Sequence, residues 1–81
     1  MRILPPATIG ILGGGQLGRM IAMAGRRMGY QFITYEPARE CPAEGVCEAR
    51  FDNDFMDFDA LARFVDRIDA CTLEFENVPV A

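Results

Sequence analysis

Apolar and polar positions fall into short blocks whose period changes along the chain. Residues 7–12 form an apolar run without polar alternation, carried by Ile9, Ile11 and Leu12. That is the pattern of a strand covered on both faces of a parallel sheet. Pro5 and Pro6 cannot donate ladder hydrogen bonds, so the strand is predicted to start after them, leaving residues 1–6 as a leader. Gly10 inside the run implies a closely packed neighbour. After Gly13, Gly14 and Gly15 the period becomes helical, with Leu17, Met20, Ile21, Ala24 and Met28 recurring on one face. This predicts a first helix from about Gln16 to Met28, ended by Gly29 in a left-handed cap. Gly25 inside it costs about 1 kcal/mol against alanine. Close contact between helix and strand is its expected reason. Arg19, Arg26 and Arg27 lie towards the polar side.

Residues 30–35 read as a second strand, with Phe32, Ile33 and Tyr35 suited to a pleated surface and Glu36-Pro37 as its end. A loop follows over residues 38–45, with one helical turn after Pro42. Residues 46–51 supply a short third strand in spite of their charges. Asp52, Asn53 and Asp54 make a turn, and Asp57 is placed to cap a second helix striped by Leu61, Phe64, Val65 and Ile68. Residues 70–75 form a fourth strand, which runs into Glu74, Phe75, Glu76 and Asn77. Strands and helices in this order imply right-handed crossovers and a doubly wound α/β fold, a parallel three-layer Rossmann-like sheet.

Composition narrows the chemistry. Eighty-one residues suit one small domain or a piece of one, and a hydrophobic content of 51% is too high for a disordered chain. The net charge of −4, without runs of one sign, points to neither nucleic acid nor a membrane surface. No apolar stretch approaches the roughly 20 residues of a membrane span. All eight basic residues are arginine and there is no histidine. A P-loop lysine, a Schiff base, a histidine base and a histidine metal ligand are therefore excluded within this stretch. Cys41, Cys47 and Cys71 lack metal-ligand spacing and read as reduced thiols. Asp52, Asp54, Asp57 and Asp59 lack the glycine and closing glutamate of a calcium loop, so they are expected in turns and caps. The five methionines are expected to fill the core. The pattern stops at Ala81 without a closing element, which reads as a fragment of a longer protein.

The glycine turn carries the main candidate site. A helix N-terminus has unpaired N–H groups and about half a positive charge. Glycines let an anion approach the backbone, so a phosphate has a seat near the amides of Gly15, Gln16 and Leu17. Gly13, Gly15 and Gly18 also stand at the offsets of a dinucleotide fingerprint, with Glu36 where a ribose-binding acid would follow the second strand. The residues alone leave open a dinucleotide, another phosphate ligand or a structural turn. Ligands of parallel sheets sit beyond the carboxyl ends of the strands, so residues 74–77 should open onto the same edge. Glu74 and Glu76 would share one direction there, to hold an amine or a ribose hydroxyl or to remain as exposed acids.

The two stretches together resemble a family. Residues 8–20, from Thr8 through Gln16, Leu17, Gly18, Arg19 and Met20, look like the N-terminal signature of the 5-(carboxyamino)imidazole ribonucleotide synthases. Residues 74–79, Glu74 to Pro79, are similar to that family's second signature. These are ATP-grasp ligases of purine biosynthesis, and the resemblance covers residues 7–79 of this chain. It implies an N-terminal pre-ATP-grasp domain over residues 7–81, incomplete, with the central and C-terminal ATP-grasp domains absent. The implied reaction consumes ATP and bicarbonate to carboxylate the amine of 5-aminoimidazole ribonucleotide, releasing ADP and phosphate. ATP and magnesium would be bound outside this stretch, and the full-length enzyme would be a cytoplasmic homodimer. The stretch alone would hold no catalytic residue and no metal. The Gly15-Gln16-Leu17 turn would receive the ribonucleotide phosphate, Glu74 would contact the aminoimidazole ribonucleotide, and Glu76 and Asn77 would shape the loop. The chain departs from the family pattern at Glu36, commonly aspartate, and at Cys41, often serine. The readings that compete are a nicotinamide- or flavin-binding oxidoreductase domain and a related ATP-grasp enzyme of another ribonucleotide.

Overall fold

A computed structural model of the chain describes residues 4–73. Its order is β1 (Thr8–Leu12), α1 (Gln16–Arg27), β2 (Gln31–Tyr35), a 3-10 turn (Pro42–Val46), β3 (Ala49–Phe51), α2 (Phe58–Asp66) and β4 (Ala70–Leu73). The four strands form one sheet in the order β3-β2-β1-β4. Every pairing is parallel: Leu12 stands opposite Tyr35 on one side and Leu73 on the other, and Tyr35 stands opposite Phe51. The carboxyl ends of all four strands therefore lie along one edge, as the alternation of elements predicted.

Alternate residues of β2 enter opposite layers, as the period of two requires. Phe32 joins Ile11 and Ala22 in a core under α1, with Ile9, Ile21 and Val46 packed around it. Ile33 and Tyr35 join Ala60 and Phe64 in a second core under α2. Tyr35 stacks on Phe51 and Phe55 at 5.9 and 5.5 Å and meets Phe64 edge-on at 5.3 Å. Helix, sheet, helix is the three-layer arrangement.

The glycines inside regular structure mark where layers touch. A Cβ at Gly10 would stand 2.6 Å from both Phe64 Cζ and Ile68 Cδ1, and a Cβ at Gly25 would strike the Phe32 ring. Both expected close contacts are present. Gly29 has φ +96° and ends α1 as expected. Asp57 caps α2 by accepting the Ala60 N–H at 3.0 Å. Asp54 accepts the Met56 N–H at 2.7 Å, the turn role expected of it.

Three expectations are corrected. Val46 belongs to the 3-10 turn, and β3 begins only at Ala49. The 3-10 turn continues through Gly45 and Val46, which delays the third strand. The described methionines do not fill the core: Met20, Met23, Met28 and Met56 are all exposed. The buried positions of α1 are Gly18 and Ala22, because small residues let the helix lie close on the sheet, while Leu17, Met20 and Met23 turn outward. For the same reason the stripe through Leu17, Met20 and Met28 is not the buried face. The expected end of β4 at residue 75 and the Glu74–Asn77 stretch lie outside the described residues.

Candidate functional site

β1 delivers the chain to the carboxyl edge at Leu12, and three successive glycines turn it into α1. Gly13 and Gly14 have different physical reasons. Gly13 has φ +114°, a conformation that favours glycine. β2 holds it there: its N–H donates to the Tyr35 carbonyl at 2.8 Å, and its own carbonyl accepts the Thr34 hydroxyl at 2.5 Å. Gly14 is needed for space, since a Cβ would strike the Cys41 sulfur and come within 2.9 Å of Glu36 Cβ. Gly15 is the N-cap of α1, with φ −76° and ψ −166°, extended backbone open to any residue. The strain that a glycine-only conformation at Gly15 would impose on a replacement is therefore absent. The turn's one left-handed residue is Gly13.

The two helices start differently. α2 begins with a side-chain cap from Asp57 and has Asp59 in its first turn. α1 has no side-chain cap hydrogen bond and no acid in its first turn, while its basic residues Arg26 and Arg27 stand at the far end. The N-terminus of α1 thus keeps its positive end clear of carboxylates on its own first turn. Gln16 and Leu17, which follow Gly15 directly, open the helix at this edge and are exposed. The fourth predicted site residue, Glu74, lies outside the described residues. Leu73, which precedes it, pairs with Leu12 at the entrance to the glycine turn.

Glu36 braces the turn. One carboxylate oxygen accepts the Gly14 N–H at 3.0 Å and the other accepts the Ala38 N–H at 3.0 Å. Both oxygens thereby bind the main chain. The Ala43 N–H donates to the Gly14 carbonyl at 3.0 Å, and Arg19 Nη1 to the Pro42 carbonyl at 3.3 Å. Residues 36–43 therefore grip the glycine turn from beside it.

Sequence reasoning missed the next link, Arg50. Its guanidinium donates to the Glu36 carbonyl through Nη2 at 2.9 Å and Nε at 3.3 Å. It also donates to the Ala38 carbonyl and, at 3.2 Å, to Glu44 Oε1. Nothing in one sequence marks this arginine, since its acceptors are mostly main-chain carbonyls. The thiol of Cys41, which faces Gly14, is raised in pKa by burial above all, with Arg50 opposing.

A parallel three-layer sheet with a glycine turn leading from β1 into α1 defines a Rossmann-like domain. The model of the ribonucleotide synthetase preATP-grasp domain matches residues 6–81, and the chain belongs to that family. It is 51% identical over 77 residues to the N5-carboxyaminoimidazole ribonucleotide synthase of Brucella melitensis, covering 95% of this chain and 21% of that protein. The structure of N5-carboxyaminoimidazole synthetase from Staphylococcus aureus complexed with ADP superposes with a TM-score of 0.87 and 38% identity, over 95% of this chain and 21% of that one. The corresponding synthetase from Thermus thermophilus gives 0.78 and 49%, over 88% of this chain and 19% of that one. The chain thus spans about one fifth of the length of these relatives. The oxidoreductase reading is set aside. The matched family is one of ribonucleotide synthetases.

Proposed function

We propose that this chain is the ribonucleotide-holding part of an ATP-dependent ligase that carboxylates 5-aminoimidazole ribonucleotide with bicarbonate in purine biosynthesis. The observation that carries the reading is the start of α1: a glycine turn at the carboxyl edge, without a side-chain cap or an acid in the first turn. The ribonucleotide phosphate sits against the amides of Gly15, Gln16 and Leu17, where helix dipole and backbone donors act together. Glu74 holds the aminoimidazole side from the end of β4.

In the reaction, a bicarbonate oxygen attacks the terminal phosphorus of ATP and ADP leaves, giving carboxyphosphate. The amine of the ribonucleotide then attacks the carboxyl carbon, phosphate leaves, and a proton is lost from nitrogen. Carboxyphosphate is short-lived in water, so the accepting amine must already be oriented when it forms. Holding the ribonucleotide at both ends supplies that orientation, and this is the chain's own share of the work. ATP supplies the activating phosphoryl group and is held outside this stretch. The magnesium that accompanies ATP is proposed to be held with it, outside this stretch. None of the described helices is long and apolar enough to cross a membrane. A cytoplasmic homodimer is the assembly proposed for the full-length enzyme.

The test is ADP release by the full-length protein in bicarbonate, with and without 5-aminoimidazole ribonucleotide. Release that rises with the ribonucleotide, together with formation of the carbamate product, is expected. ADP release indifferent to it, or dependent on a different ribonucleotide, would overturn the substrate assignment.

A further inference from the structure

Glu36, Arg50 and the 36–44 segment form a chain of hydrogen bonds that ends on the glycine turn. The Arg50 side chain is only 14% exposed, and its planar fork is spread over three acceptors that a point-charge ammonium could not span. Two of these are the carbonyls of Glu36 and Ala38, and the third is the carboxylate of Glu44. The main chain around Glu36 is fixed in this way. The Glu36 carboxylate then takes the N–H of Gly14 while Ala43 N–H takes the Gly14 carbonyl. Gly14 is therefore gripped at both of its polar groups from one segment. It is the residue directly before the N-cap of α1, so its peptide planes set the direction of the amides that follow.

We infer that Glu36 and Arg50 are positioning residues for the phosphate seat, acting through Gly14 on the amides of Gly15, Gln16 and Leu17. The inference rests on the proposed ribonucleotide seat. It assigns neither residue to the ligand: Glu36 aims the turn, and Arg50 aims Glu36.

Charge and positioning make opposite demands, which gives the test its sign. Glu36→Gln removes a negative charge near a site for an anion, so electrostatics alone would tighten phosphate binding. The amide keeps one oxygen for the Gly14 N–H but turns an NH2 towards the Ala38 N–H, so the grip loosens. In the full-length enzyme, Glu36→Gln and Arg50→Met are each expected to raise the KM for aminoimidazole ribonucleotide about tenfold, with kcat and the KM for ATP nearly unchanged. Acting in one chain of bonds, the two should not multiply: the double variant is expected near the worse single one. Melting temperature is measured alongside, and Arg50→Lys, which keeps the charge and loses the fork, replaces Arg50→Met if that variant does not fold. Gly15→Val serves as the reference, because a side chain there obstructs the seat directly. A ribonucleotide KM that is unchanged or lowered in Glu36→Gln, while Gly15→Val raises it, overturns the positioning role and leaves the seat standing. Multiplicative effects in the double variant overturn the link between Arg50 and Glu36. Unchanged binding in Gly15→Val removes the seat, and the inference with it.

Discussion

Gly13 and Gly14 look alike in the sequence and are needed for separate reasons: a left-handed φ at Gly13 and the crowding of Glu36 and Cys41 at Gly14. The offsets of the motif were legible, but the division of labour was not, because it depends on which segment lies alongside. Gly10 and Gly25 were legible as contact points, since a glycine inside a strand or helix needs a neighbour to explain its cost. The methionines misled because hydrophobicity was read without size, and small residues won the places nearest the sheet. Cys47 has a consequence of its own. Burial pushes its thiol up to about 11, with Cys41 adding to the rise. An unfolded thiol ionises near pH 8.5, so the folded chain keeps its proton longer. The stability linked to this group is complete below the unfolded value and is lost as pH rises from about 8.5 through 11. Melting temperature should fall over that window, and Cys47→Ala should lessen the fall. A flat profile in the parent chain would show that burial does not hold this thiol.

The elements were readable wherever periodicity was strong. α1 begins at Gln16, where the period changes, and β2 ends at Tyr35, before Glu36-Pro37. β3 is shorter than its sequence suggests because the 3-10 turn after Pro42 has no periodic signature and continues into Val46. The contrast between the helices is electrostatic. α2 is closed by Asp57, which also accepts from Asn53 Nδ2 at 3.2 Å, whereas α1 starts without such a cap. Asp57→Ala is expected to cost about 1 kcal/mol of stability, measurable by urea unfolding, without changing ribonucleotide affinity. A loss of affinity instead would mean that the capped helix, not α1, faces the ligand.

Across the whole molecule, parallel pairing brings the glycine turn, the segment after β2 and the end of β4 to one edge. That convergence was legible from the order of elements, since ligands of parallel sheets sit beyond the strand ends. The brace from Arg50 was not, because it joins parts of the chain through main-chain acceptors that composition does not reveal. At this scale Glu74 is the proposed second holding point. In the full-length enzyme, Glu74→Gln is expected to raise the ribonucleotide KM about tenfold and leave ATP binding intact, because a charge-assisted hydrogen bond is lost. Glu76→Gln should be milder. Kinetics showing the reverse order would exchange the two acids, and silence from both would make the segment structural.

The central claim is that the phosphate of the ribonucleotide rests on the start of α1. The position of that phosphate in a crystal structure of the full-length enzyme with 5-aminoimidazole ribonucleotide bound measures this directly. Phosphate oxygens are expected about 3 Å from the amide nitrogens of the Gly15-Gln16-Leu17 turn. A bound ribonucleotide whose phosphate lies away from this turn, with the turn itself unchanged, would contradict it.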